Sequence, residues 1–338
     1  MKKLAFAAIV AVSAGCSRNA DSPLMCNPEN VENGKMSVSV MFDDALTRSV
    51  TDYVEALDSE KKVNSVTVLV FDEASERLQA SKELNSITDT CQMSLPVGQK
   101  IVYAVVNGPE LSGITRLSQL SSCVDDLKSG DMGQRGLTLI GNGRHTVVAG
   151  ESSQMPPIPV RWLVARVVLN SVACNIPSQY GEMTVESVFL GNAMTSRTFF
   201  GASDNRVNPD GYANRDGELE PVGLNGWLGE CNTYLYREVG ETVAVKGACE
   251  KKYHMYCQPD VVSGTTSMYI LVSIGGVKYY YRVPLDKGLE ANSTSSVDVV
   301  ITNLGSETPP SDDLQKGQLT ATVTFAGWTA GNSYSAEF

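Results

Sequence analysis

Residues 36–50 read MSVSVMFDDALTRSV, and their first seven positions decide the fold class. Val38, Val40 and Phe42 fall on one side of an extended chain, Ser37 and Ser39 on the other. That period of two belongs to a β-strand with one buried face, because successive side chains of a strand point to opposite sides of its sheet. The pattern ends at Asp43-Asp44, and Arg48 follows in a short stretch with no periodicity. A strand of this quality set directly before a lone arginine is the feature that the rest of the chain has to explain.

Outward from this stretch, strand patterns recur. Residues 63–71 (VNSVTVLVF) are β-branched and close on an Asp72 turn, and QMSLP (92–96), KIVYAVVN (100–107) and HTVVA (145–149) continue the series. Residues 111–128 have room for one short helix. After a break at Gln154-Met155-Pro156-Pro157, the run 158–172 (IPVRWLVARVVLNSV) is a strand pair or one bulged strand. SMYILVSIGGVKYYYRVPL (267–285) predicts a hairpin turning at Gly275-Gly276, and SSVDVVITNLG (295–305) one more strand. A weak internal echo, strand 36–42 with 63–79 against strand 158–172 with 183–200, predicts two tandem halves. Beyond a proline-bearing linker at 306–313, residues 318–328 (QLTATVTFAGW) alternate again, with Leu319, Ala321, Val323 and Phe325 opposite Thr320, Thr322 and Thr324. The reading is an all-β chain of two sandwiches, with this last strand detached from them.

Composition narrows the function. The 338 residues carry a formal charge of -11, and no block of Lys or Arg interrupts it, so a phosphate backbone is repelled and nucleic acid is excluded as a partner. Lys2 and Lys3, an apolar run over residues 4–12 and then Ser13-Ala14-Gly15-Cys16 make an export signal too short to span a bilayer. Small residues before a cysteine also make a lipobox-like end, in which the Cys16 thiol is acylated; an ordinary signal peptide containing a cysteine is the alternative. Of eight cysteines, six lie after residue 48; they pair as disulfides in an oxidising compartment or pack as buried thiols.

The search for chemistry is short. No G-x-S-x-G elbow, H-E-x-x-H pair or phosphate-binding glycine loop occurs, and the cysteine and histidine spacings match no zinc pattern. His145 sits in an apolar-flanked strand and His254 beside aromatics, which reads as structural. Residues 204–218 are rich in oxygen ligands, yet their Asp-Gly pairs put Arg206 or Tyr212 in the first EF-hand position, so solvated turns are expected. No enzyme, metal or cofactor is expected.

Taken together, these stretches resemble the fimbrillins, the lipoprotein-exported subunits of type V pili of Gram-negative anaerobes. The resemblance is carried by SAGC (13–16), strand 36–42 with ALTRSV (45–50), KKVNSVTVLVFD (61–72), RWLVARVVLNSV (161–172), YYYRVPL (279–285), SSVDVVITNLGSETPP (295–310) and LTATVTFAGWTAGNSYSAEF (319–338). Ser13, where the family has an aliphatic residue, and the many cysteines depart from it. The resemblance implies a signal at 1–16 with lipid on Cys16, a spacer and removable strand at 17–48, transthyretin-like sandwiches at 49–157 and 158–305, and a linker with a donor strand at 306–338. It further implies that an Arg-specific protease cuts between Arg48 and Ser49, releasing the strand that carries Val38, Val40 and Phe42. A strand from another copy would then fill the groove with Leu319, Ala321, Val323, Phe325 and Trp328. The implied partners are further copies or related subunits, the protease, the outer membrane before maturation, and surface ligands of host or bacteria. The implied location is the outer membrane and then the extracellular fimbrium.

The residues alone leave other readings open. Arg48 can be an ordinary loop residue, and the last strand can fold back onto its own sandwich. A tip or accessory subunit would share the fold, whereas an anchor subunit would lack residues 318–338. A surface glycan-binding lipoprotein would need an exposed aromatic platform from Trp162, Trp227, Trp328 or the run Tyr279-Tyr280-Tyr281.

Overall fold

In a computed structural model of the chain, the residues described are 32–43, 53–127, 135–201, 206–207, 234–260, 266–285, 289–307 and 319–329. Strands dominate them, as the period of two predicts. The first half holds β1 (Asn33–Phe42), β2 (Tyr53–Glu55), β3 (Val66–Asp72), β4 (Leu78–Leu84), β5 (Thr90–Pro96) and β6 (Gly98–Val106). A single turn of helix, α1 (Leu117–Ser121), lies within the span expected for one, and β7 (Val124–Asp126), β8 (Leu139–Val147), β9 (Ser152–Gln154) and β10 (Ile158–Trp162) follow. The second half begins with β11 (Ala165–Cys174), β12 (Met183–Gly191), β13 (Ala193–Met194), β14 (Ser196–Thr198) and β15 (Arg206–Val207). It continues through β16 (Tyr236–Val243), β17 (Ala248–Cys249), β18 (Tyr253–Cys257), β19 (Ser267–Ile274), β20 (Val277–Pro284), β21 (Ser293–Ile301) and β22 (Leu319–Thr329).

An eight-stranded sheet has the order β4-β3-β6-β8-β10-β1-β5, with β9 also paired to β1. β3 is apolar on both faces for a reason visible in its packing. Val66, Val68 and Val70 enter the main core, while Leu69 and Phe71 join Leu120 of α1 in a second cluster on the opposite face. The second half builds a six-stranded sheet, β17-β11-β21-β22-β2 with β18 on β11, and a four-stranded sheet, β16-β12-β19-β20. Gly275 and Gly276, at φ 59° and 84°, make the β19–β20 turn, a backbone region that glycine enters without steric penalty.

Two expectations are revised. The run 158–172 is two strands in different sheets: β10 pairs with β1 and β8, and β11 pairs with β18 and β21 after the chain turns at Leu163-Val164. The last strand is not detached. β22 runs antiparallel along β21 from Leu319 opposite Ile301 to Gly327 opposite Ser293, so it closes an edge of its own second half that would otherwise leave backbone donors and acceptors unpaired.

The halves share one apolar cluster that runs from Met36 to Ile301, and polar contacts stitch their junction. β7 of the first half pairs with β14 of the second. The buried Asp125 carboxylate accepts from Thr138 Oγ1 at 2.7 Å and from Gln258 Nε2 at 2.6 Å. A second junction lies at Glu60, just after β2. Its carboxylate, 0% exposed, pairs with the equally buried Arg166 at 2.8 Å and accepts from Tyr256 Oη and from the Leu57 backbone N–H. Arg166 also donates to Thr294 Oγ1 at 2.9 Å and to the Glu55 carbonyl at 3.3 Å. Burial lowers the Arg166 pKa and pushes the Tyr256 phenol up. The segment following β2 is thus bound to β11, β18 and β21 by a buried charge pair and the hydrogen bonds around it.

Removing one partner of such a pair strands the other, so Glu60→Ala or Arg166→Ala is expected to lower unfolding stability by about 3–5 kcal/mol. The apolar double replacement Glu60→Leu with Arg166→Met is expected to cost less than either, as read by chemical denaturation. His254 on β18 gives a pH test: burial, then Arg166 and Arg237, hold its pKa at about 4 against an ordinary 6.5. The unfolded chain therefore takes up a proton that the folded chain refuses, and stability falls as pH drops from 6.5 toward 4. His254→Gln is expected to flatten that part of the stability-versus-pH curve relative to the parent chain.

Candidate functional site

The residues singled out in the sequence gather on the first strand and the last. β1 is a two-sided strand. Its residues 33–39 pair antiparallel with 96–90 of β5, residues 35–37 pair parallel with β9, and residues 40–42 pair parallel with 158–160 of β10. Backbone bonds continue past its ends, from Val97 N–H to Glu32 O at 3.0 Å and from Asp43 N–H to Val160 O at 2.9 Å. Ser153 Oγ contacts His145 Nε2 at 2.8 Å and donates to the Lys35 carbonyl at 3.3 Å, fastening β9 to β1 with side chains as well.

One face of β1 is buried. Val38 is 0% exposed and Val40 5%, and Phe42 stacks on Trp162 with ring centroids 5.9 Å apart. Met36, on the same parity but not singled out in the sequence, is also 0% exposed. At the next position on this face, a β-carbon on Gly34 would overlap the Val148 carbonyl oxygen and stand 2.8 Å from Val147 Cγ1. Backbone cannot rotate aside as a side chain can, so this end of the slot admits glycine alone. Cys91 lies directly opposite Val38, buried at 4%, with its thiol pKa raised by burial. At the far end Asp43 pairs with Arg161.

β22 lies between β21 and β2, its residues Gly327, Trp328 and Thr329 running parallel to Tyr53, Val54 and Glu55. The expected parity holds: Thr322 and Thr324 are exposed, while Ala321, Val323 and Phe325 are half-buried. Leu319 and Trp328 stand near the two ends of the strand. The structure therefore places the five residues named in the sequence on one strand, with Ala321 and Val323 less deeply buried than Val38 and Val40 on β1.

Cys16, Arg48 and Ser49 lie outside the described residues, as do Trp227, Cys231 and nearly all of 204–218. Cys91, Cys123, Cys174, Cys249 and Cys257 are free thiols, three of them buried, which favours the packed-thiol alternative for these five. Trp162, Tyr279, Tyr280 and Tyr281 are buried at 8% exposure or less, so none of them offers a sugar platform. Among the described residues no group of His, Cys, Asp and Glu is arranged to hold a metal ion. An open cleft of about 550 Å³ is lined by Glu73, Gln99, Arg144, His145 and Thr146. Glu73 there is paired with Arg144 at 3.0 Å, and His145 contacts Ser153, whose hydroxyl donates to the Lys35 carbonyl.

Comparison with known proteins follows the same lines. Residues 35–158, which run from β1 into β10, match the family model of the major fimbrial subunit protein (FimA). No curated protein matches the chain. Among solved structures, a fimbrilin from Porphyromonas gingivalis is similar at TM-score 0.59 and 14% identity, covering 89% of this chain and 99% of that one. A candidate cell adhesion protein from Bacteroides eggerthii is similar at TM-score 0.62 and 16% identity, covering 89% and 98%. The tip fimbrial protein Mfa3 of P. gingivalis, solved with a C-terminal truncation, is similar at TM-score 0.50 and 12% identity, covering 88% and 100%. Identities this low speak for the fold, and the family match speaks for the sequence that makes β1 through β10. By that match residues 35–158 are similar to the major fimbrial subunit protein family, and the chain shares the β-sandwich fold of the fimbrilin structures.

Proposed function

We propose that the chain is a shaft subunit of a type V fimbria that polymerises when proteolysis triggers the exchange of β1 for a donor strand, and that it supports adhesion. In this reading Cys16 carries lipid during export to the outer membrane, an Arg-specific protease cuts between Arg48 and Ser49, and β1 leaves. A C-terminal strand bearing Leu319, Ala321, Val323, Phe325 and Trp328, supplied by another copy or a related subunit, then occupies the groove. The same reading keeps two tandem sandwiches, with the boundary expected at 157/158 moved to Leu163-Val164 because β10 pairs with β1 and β8.

The observation that carries it is the difference in burial between the two strands. β1 holds Met36, Val38 and Val40 at 0–5% exposure between partners on both sides, with Phe42 partly buried, whereas Ala321, Val323 and Phe325 of β22 are half-buried at home. Carrying Val323 from half burial to the full burial of Val40 gains roughly 1 kcal/mol, which favours the groove over the parked position. Before the cut, β1 competes as part of the same chain at high effective concentration, and its buried face resists opening. The cut turns it into a separate ligand that dilutes away once displaced. A chain that carries both a groove and a donor strand makes a heterologous joint, and such joints propagate into open filaments. A tip subunit is the second reading; it needs the groove as well, and it would cap a polymer rather than extend one.

The test uses the precursor, arginine-specific protease and thiol labelling. After cleavage, a chain truncated before Lys316 is expected to lose β1 and to expose Cys91 to maleimide, with the labelled peptide read by mass spectrometry. The full-length cut chain is expected to form SDS-resistant ladders and to protect Cys91 again. A cut chain that stays monomeric, or an Arg48→Ala chain that polymerises equally well, contradicts the mechanism; a cut chain that only terminates ladders of a related subunit assigns the tip role.

A further inference from the structure

The groove is specific at its Gly34 end, and that specificity identifies the register of the incoming strand. Residues 34–42 read GKMSVSVMF and residues 317–325 read GQLTATVTF. Glycine meets glycine, Met36 meets Leu319, Val38 meets Ala321, Val40 meets Val323, and Phe42 meets Phe325. The intervening polar positions also agree, with Ser37 and Ser39 against Thr320 and Thr322. We infer that the donor strand of a second copy replaces β1 residue for residue in the same direction, with Gly317 on the site of Gly34 as the residue that sets the register. This rests on the strand-exchange reading above and adds to it a direction, a register and a specificity residue.

Three features of the groove favour this register. A β-carbon at the Gly34 position would overlap the Val148 carbonyl, so a strand slipped by two residues, with Leu319 or Gln315 there, is refused by backbone. A one-residue slip would turn the threonines into the core. The aromatic ring needed over Trp162 at 5.9 Å is supplied by Phe325. Running in the same direction also keeps every ladder as it is, antiparallel to β5 and parallel to β9 and β10.

A reversed strand is the competing arrangement, because Gly327 would then fall on Gly34 and Phe325 on Met36. It would turn the antiparallel ladder with β5 into a parallel one and the parallel ladders with β9 and β10 into antiparallel ones. It would also place the larger Phe325 where Met36 is wholly buried, and Leu319 on Trp162 in place of an aromatic ring. In the same-direction register the exchange gives up one contact, the Asp43–Arg161 pair, since Ala326 takes the place of Asp43.

Native Cys91, opposite Val38, reads the register directly. Cut precursor carrying Ala321→Cys, oxidised with copper-phenanthroline after polymerisation, is expected to link that cysteine to Cys91 of the neighbouring copy, with linked peptides mapped by mass spectrometry. Val323→Cys is expected not to link to Cys91, and Val38→Cys in uncut precursor, which should link within one chain, shows that the site can close. A Val323→Cys link in place of the Ala321→Cys link overturns the proposal in favour of the reversed strand. So does a polymer with no link at Cys91 when the Val38→Cys control closes. Independently of any thiol, Gly317→Val is expected to slow polymerisation about tenfold or more, while Gly327→Val leaves the cut chain able to polymerise. Equal rates for Gly317→Val and the parent chain overturn the register. A parent chain that does not polymerise after cleavage overturns the exchange reading itself, which keeps the two failures apart.

Discussion

The first sandwich depends on the two-sided pairing of β1. β5 and β9 are joined to the β4-β3-β6-β8-β10 part of the sheet through this strand, and its buried face runs through the core from Gly34 to Phe42. A strand in that position would normally come from the middle of a chain, where both ends are held. Here it is the first described strand, and the ten residues that separate it from β2 include Arg48. Backbone groups buried between strands must be paired, so this position needs an occupant. The proposed exchange meets that need by putting one strand in the place of another.

The second half keeps its own integrity by different means. Glu60, Arg166 and Tyr256 hold the segment after β2 against the sheet that carries β21 and β22, and Trp162 Nε1 donates to the Glu60 carbonyl at 3.2 Å. Trp162 therefore stands between the ring of Phe42 on one side and the buried charge cluster on the other. β22 rests nearby on β21 with Thr322 and Thr324 exposed.

Much of the fold was legible in residues 36–50, 63–72 and 267–285, because alternation under one buried face leaves a direct mark on sequence. The Gly275-Gly276 turn was legible for a similar reason, since its backbone conformation restricts residue type. The run 158–172 misled because a chain that passes from one sheet to another without a polar break carries no such mark. Val38, Val40 and Phe42 were found from their period, whereas Met36 shared it and was passed over. Gly34 could not have been valued from sequence, because its constraint comes from Val148, more than a hundred residues away.

By itself the sequence determined which strands exist, which of their faces are apolar, and that the first and last strands are alike in pattern. Those properties are local, set by side-chain direction and by the cost of placing apolar groups in water. Only the tertiary structure decided where the two strands sit: β1 enclosed on both sides, β22 half-buried on β21, glycine obligatory at position 34, and Cys91 opposite Val38. Pairing partners, depth of burial and backbone approach are relations between distant segments, and a one-dimensional pattern cannot choose among the partners that satisfy it equally well.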